Sequence, residues 1–406
     1  MYFRANIFLP KPVFMEPHII LIILSGLVIV SYLFDIFAKA SKIPSVLLLL
    51  FAGIGIRETL EYLSIPIIDM LRILPSVGTI GLILIVFEGA LELDYHKQKN
   101  KLILSSFMAG LVILLITILA IAFLIQYYTH LPIQLCLINA TPFGVISSAM
   151  AIPSVSSLSA EKKEFVIYES SFSDIIGIVV FNFFLTNQVI DGQSFVHLGI
   201  ETITILLISG FFCLFLLYLI GKINYHIKFF LIIAILMMVY GIAKIFHLPS
   251  LVLILAFGLF LNNAAQITYK PFRKYFLYPT LQEDLQLMHT LSAESSFILR
   301  TFFFIIFGFT MNIKDLMDLE MLKFGGLILI AIYAIRFAYL KFVARMELSP
   351  IAFVTPRGLI SILLYFNLPP EMRTPAVSTG LLFMIILATS FVMMYGIMRA
   401  KKEITE

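Results

Sequence analysis

About thirteen runs of mostly apolar residues, each roughly 20 residues long and parted by short polar loops, recur along this chain. A helix of that length crosses a hydrocarbon core of about 30 Å, whereas a barrel strand is about ten residues of alternating character. Backbone groups in lipid find no water, so uniformly apolar runs of this length fold as helices. Apolar residues make up 61% of the chain and charged residues 13%, and the mean hydropathy is +1.03. Those values lie outside the range of a soluble domain and set the class: an all-α polytopic membrane protein.

The runs begin near residues 18, 43, 76, 101, 132, 163, 197, 226, 249, 287, 320, 349 and 375. Placing Arg399, Lys401 and Lys402 in the cytoplasm puts most of the 28 Lys and Arg in cytoplasmic segments, with Arg300, Arg336 and Arg357 inside spans. That places the amino terminus outside and the carboxyl terminus inside the cell membrane. Residues 1–17 carry Pro10, Pro12 and Pro17 but no apolar core followed by a small-residue cleavage pattern, so the first helix is expected to be retained. Cys136 and Cys213 fall inside apolar runs and suggest neither a disulfide framework nor a metal site.

The chain repeats itself. Ile43-Pro44-Ser45-Val46, apolar as far as Gly53, recurs as Leu248-Pro249-Ser250-Leu251, apolar as far as Gly258, with nine residues from Pro to Gly in each copy. Ile85-Val86-Phe87 before Glu88-Gly89 has a fainter echo in Ile305-Ile306-Phe307 before Gly308. Helices one to six therefore correspond to helices eight to thirteen in inverted orientation, a common build of secondary transporters with a site near the midplane. Matching breaks support the pairing. Asn139-Ala140-Thr141-Pro142-Phe143-Gly144 interrupts the fifth helix, and Thr355-Pro356-Arg357-Gly358 interrupts the twelfth. Pro removes a backbone donor and Gly permits unwinding, so both segments could present free carbonyls to an ion.

Chemistry concentrates in the sixth helix, at Glu169-Ser170-Ser171-Phe172-Ser173-Asp174. An unpaired carboxylate at bilayer depth is disfavoured by roughly 2.5 to 3.5 kcal/mol, and such residues mark ion or proton pathways. Ser170 and Asp174 are four apart and share a face, as do Glu169 and Ser173 on the adjoining strip. A desolvated cation such as sodium needs several oxygen ligands, which Asp174, Ser170 and a carbonyl near Thr141 could supply. Buried arginines need partners: Glu169 is expected to pair with Arg336, with Ser173 as a further acceptor, and Glu294 with Arg300. Glu88, deep in the third helix, is either a second site carboxylate or a residue near a helix end reaching water.

In this order, Ala140-Thr141-Pro142, then Glu169-Ser170-x-x-Ser173-Asp174, the Arg336 helix and Pro356-Arg357-Gly358, the chain resembles the NhaP-type sodium/proton antiporters of the monovalent cation/proton antiporter superfamily. The resemblance covers nearly the whole chain. It implies Asp174 as the ion-binding carboxylate, Ser170 and Thr141 as further ligands of the transported sodium, and Glu88 as a third-helix site residue. It also implies a structural ion pair between Glu169 and Arg336 and matches Arg357 to the family's Gly-x-Arg-Gly arginine. Two departures stand out: Ser173 replaces the usual Asn, or the Asp of electrogenic relatives, and Thr141-Pro142 replaces Thr-Asp-Pro. The transporter domain spans 18–400. Within it, 18–95 and 226–313 are expected as interface helices of a homodimer, 100–190 and 320–400 as the ion-binding core, and 197–221 as the linking helix. Residues 401–406 form a cytoplasmic tail.

One carboxylate serving a cation and a proton in turn gives competitive binding at Asp174, and with no second carboxylate at position 173 the exchange is expected to be electroneutral. Potassium/proton exchange is the alternative, and a sodium-coupled symporter of an organic anion is a weaker one. An intramembrane hydrolase would need paired Asp or an activated Ser beside a base, which this pattern lacks. Neither a cofactor nor nucleic acid is implied by the residues, since the net charge of +4 is accounted for by the loops.

Overall fold

The computed structural model describes residues 17–41, 43–64, 74–93, 97–156, 158–187, 192–222, 229–245, 250–267, 269–277, 280–311 and 318–400. The amino-terminal segment, the Leu248-Pro249 half of the repeat signature and the tail lie outside them.

Each expected span falls on one helix or on a pair. They are α1 (Pro17–Ser41), α2 (Ser45–Tyr62), α3 (Leu74–Glu92), α4 (Asn100–Thr129), α5 (Ile133–Gly144) with α6 (Ser148–Ser154), α7 (Ala160–Thr186) and α8 (Gly192–Lys222). The second half continues with α9 (Phe229–Ile245), α10 (Ser250–Asn263), a short α11 (Lys270–Phe276) absent from the sequence reading, α12 (Leu281–Thr310), α13 (Leu319–Ala338), α14 (Leu359–Asn367) and α15 (Thr379–Arg399). A π-helical stretch, Tyr339–Ala344, prolongs α13. Among the described residues five helical stretches, counting α5 with α6 and α13 with its π-helical extension, are long and apolar enough to cross a membrane on length and composition alone, and shorter apolar helices such as Phe229–Ile245 stand between them. The protein is a multi-pass membrane protein.

The repeat is visible in how helices touch. Gly53 of α2 lies so close to α12 that a side chain would strike the Ile305 carbonyl and come within 2.7 Å of Phe309 N. Gly258, its counterpart in α10, faces α3, where a Cβ would sit 2.5 Å from Ala90 Cβ and 3.3 Å from Phe87 O. The second helix of each half thus packs its glycine against the third helix of the other. Small residues allow this backbone approach, which in lipid replaces the missing hydrophobic drive between helices.

Around that centre α2 packs on α1 and α12, α3 on α10 and α12, and α10 on α8 and α9. A second group forms as α4, α5 and α7 pack on one another, with α6 on α7, α13 on α4 and α15, and α14 on α5. The groups meet where α3 touches α14 and α10 touches α7.

Candidate ion site

The sequence places the first break within 139–144, but the helix runs through Pro142 to Gly144 and the chain unwinds over Val145, Ile146 and Ser147. The reason is tertiary. Ile146 N donates to Ser173 Oγ at 2.9 Å, Ser147 N to Pro356 O at 2.9 Å, and Ser148 N to Asp174 Oδ2 at 3.2 Å. Three consecutive N–H groups that would have prolonged α5 are taken by α7 and by the second break. That second break is extended over 354–358, between a short 3-10 turn at Ile351–Phe353 and α14. The two unwound strands therefore cross and are bonded to each other.

Asp174 sits beside the crossing, 6% exposed, on the face of α7 turned toward it. Its Oδ2 accepts from Ser148 N, while Oδ1 has no hydrogen-bond partner in the protein. The carboxylate lines a cavity of about 30 Å³ with Ser148, Ser171, Ile85, Gly89, Leu251 and others. That volume holds about one water-sized occupant. The Ser171 hydroxyl is likewise buried without a partner. Asp174, Ser148 and Ser171 bring a carboxylate and two hydroxyls to a cavity otherwise lined by apolar side chains and Gly89, and oxygens of that kind can hold a hard monovalent cation or a proton.

Two buried arginines shape the surroundings. Arg336 of α13 donates from Nη1 and Nη2 to the two Glu169 oxygens at 2.7 and 2.9 Å, and from Nε and Nη2 to Ile351 O at 3.1 and 3.0 Å. The fork ties α7 and α13 to the turn before the second break. Ser173, expected as an acceptor for Arg336, accepts instead from Ile146 N of the unwound strand. Arg357, fully buried, donates from Nε to Phe143 O at 2.6 Å and from Nη1 to the Thr355 carbonyl and hydroxyl at 2.9 and 2.5 Å. Its positive charge sits at the carboxyl end of α5, where the helix dipole is negative and carbonyls are left without helical partners. No carboxylate pairs with it among the described residues.

Glu88 of α3 lies against Arg300 of α12, Oε1 to Nη2 at 3.7 Å. This overturns the expected pairing of Arg300 with Glu294. Residues six apart stand about 240° apart around a helix, so one points inward while the other faces α1. Glu294 accepts from Tyr32 Oη at 2.5 Å. Glu88 and Arg300 line a second cavity of about 100 Å³, which shares Ile85, Gly89 and Ser148 with the one at Asp174.

Of the sequence-expected ligands, then, the structure brings Asp174 to the cavity and Glu88 to its neighbour. Ser170 and Thr141 do not line either. Their hydroxyls donate back to their own helices, to Val166 O at 2.7 Å and Leu137 O at 2.8 Å. Ser148 and Ser171 line the first cavity with Asp174 instead. Ser171 stood inside the recognised hexapeptide, three residues before Asp174, and that helical spacing could have singled it out. Ser148 carried no such signal, because its place depends on where α5 ends.

Comparison with known proteins accords with this fold. The fold matches the sodium proton antiporter MjNhaP1 from Methanocaldococcus jannaschii, in the structure at pH 8, with a TM-score of 0.71 and 20% identity over 94% of this chain and 100% of that one. A second structure of MjNhaP1, from an electron-microscopy map, matches with a TM-score of 0.69 and 19% identity over 94% and 95% of the two chains. A search of curated proteins gave no match. The family model described as "Sodium/hydrogen exchanger, transmembrane" matches residues 23–347, most of the chain. With crossed unwound segments over a buried carboxylate and this match over most of its length, the chain belongs to the sodium/hydrogen exchanger family of membrane transporters.

Proposed function

We propose that this protein exchanges sodium or lithium for protons, one for one, by competition of cation and proton for Asp174. The observation that carries the reading is the Asp174 carboxylate itself: one oxygen held by Ser148 N, the other without a hydrogen-bond partner, on a residue that lines a cavity of about 30 Å³. A carboxylate so placed holds a cation or a proton, and either one neutralises it. The neutral, loaded site crosses a dry barrier at lower cost than the bare charge, which couples the two fluxes. Ser173, adjoining Asp174, is not a carboxylate, so each turnover carries a single exchangeable charge.

In this reading Asp174 and Ser171 are the ligands on α7, and Ser148 places the carboxylate. Thr141 and Ser170 join them only if α5 and α7 shift. The α4–α7 and α13–α15 group moves as a unit against α1–α3 and α9–α12, and the Glu169–Arg336 fork keeps that unit rigid. The amino terminus lies outside, as the distribution of Lys and Arg supports. A homodimer through α1–α3 and α9–α12 is part of the same reading. The exposed strip Ile22, Ile29, Leu33 and Ile36 on α1 offers a face that lipid or a second copy covers. Crosslinking in native membrane separates the two.

The test is ion-driven proton movement in proteoliposomes. Sodium or lithium should move protons through the wild type and not through Asp174→Asn, with no net current. A response to potassium alone would make potassium the coupling ion, and a steady Asp174-dependent current would end the one-for-one reading.

A further inference from the structure

The face of α12 that carries His289, Ser292, Ser296 and Arg300, at spacings of three, four and four, is a polar stripe inside an apolar bundle. Ser292 and Ser296 are fully buried, the Ser292 hydroxyl and Arg300 Nε have no hydrogen-bond partner in the protein, and the Ser296 hydroxyl faces Glu88. At one end of the stripe, His289 lines a polar cavity of about 440 Å³ with Gln282, Gln286 and Asn262. At the other end, Arg300 and Glu88 line the cavity of about 100 Å³ that adjoins the Asp174 cavity at Ser148. Buried polar groups are costly in an apolar bundle, and a polar stripe with a cavity at each of its ends points to a route for water or ions.

We propose that Arg300 gates this route by holding Glu88. The inference rests on the exchange reading above and deepens it. A free carboxylate at Glu88 would stop an entering cation one cavity short of Asp174. The guanidinium, 3.7 Å away, already balances that charge, so the cation passes on. The contact is a single long one, looser than the two-pronged Glu169–Arg336 fork at 2.7 and 2.9 Å, and so it is built to part as a cation goes by. Arg300 acts here through Glu88 and is a positioning residue.

The test is the split between KM and kcat for sodium-driven proton movement in Arg300→Gln, Glu88→Gln and the double variant, with sodium-dependent thermal stabilisation measured on the same proteins. Arg300→Gln should lower the cation KM by roughly threefold or more, a coupling of the size seen between contacting residues, and lower kcat with it, because the cation lodges at Glu88. Glu88→Gln should raise KM by leaving a bare guanidinium in the route, and the double variant should return KM toward the wild type. Effects that multiply without coupling, or a fall in kcat at constant KM, would overturn the gate and leave the pair structural. Failure of the exchange reading looks different: the wild type moves no protons. In that case the pattern of sodium-dependent stabilisation across the variants still decides, with coupling supporting Arg300 as Glu88's keeper and its absence refuting it.

Discussion

The backbone N–H of Ser147, in the first unwound segment, donates to the carbonyl of Pro356, in the second, at 2.9 Å. This bond joins the two halves of the repeat at the point where each helix is broken. It fixes the crossing beside which Asp174 sits, so disturbance of the crossing should reach Asp174 without touching its side chain.

Gly358 tests this. A Cβ there would lie 2.6 Å from Ser147 Oγ, 2.8 Å from Met150 Sδ and 3.0 Å from Ser147 Cβ. Gly358→Ala should force the strands apart, at a cost of about 1–3 kcal/mol for overpacking, and should abolish or sharply reduce exchange. Thermal unfolding in detergent and proton flux check the two parts.

Ser173 supplies the acceptor for Ile146 N at 2.9 Å. Ser173→Ala leaves that buried donor unmatched, which costs about 1–3 kcal/mol. Cation affinity should weaken with it, because the same strand carries Ser148 to Asp174. Ser173→Thr keeps the hydroxyl and should retain most of the affinity in a sodium titration of melting temperature.

The Glu169–Arg336 fork is buried at both ends. Glu169→Gln strands the guanidinium and should destabilise the protein by about 3–5 kcal/mol, whereas replacing both partners, as Glu169→Met with Arg336→Leu, should recover much of that. If the double variant unfolds as readily as the single one, the pair contributes more than charge balance, and the bonds from Arg336 to Ile351 O become the essential ones.

Gly53 and Gly89 make a matched contrast. An added methyl at Gly53 meets α12 backbone, while at Gly89 nothing lies within 4 Å of the added carbon. Gly53→Ala should lower the unfolding temperature by several degrees and Gly89→Ala should leave it near the wild type. Equal effects would count against the close approach of α2 and α12.

Much of this was legible in the residues. The cost of carboxylates in lipid singled out Glu169 and Asp174, and apolar runs of helical length placed the helices. Repeated Pro-to-Gly spacing suggested the two halves. What escaped the sequence depends on tertiary partners. Pro142 marks the break too early, because α5 ends only where Ile146, Ser147 and Ser148 find acceptors on other elements. Arg300 was assigned to Glu294 on nearness in sequence, although the turn of α12 directs the two to opposite neighbours, Glu88 and Tyr32. Ser148 joins the site only as a result of that break, and no pattern in the chain announces it.

The most direct measurement of the central claim is proton movement in proteoliposomes loaded with a pH-sensitive dye, with sodium, lithium and potassium added in turn to the wild type and to Asp174→Asn. Discharge of the gradient by sodium or lithium in the wild type, and silence in the variant, is the result predicted here. Proton movement that persists at wild-type rate in Asp174→Asn, or none with any cation in the wild type, would contradict the claim that Asp174 is the exchange site.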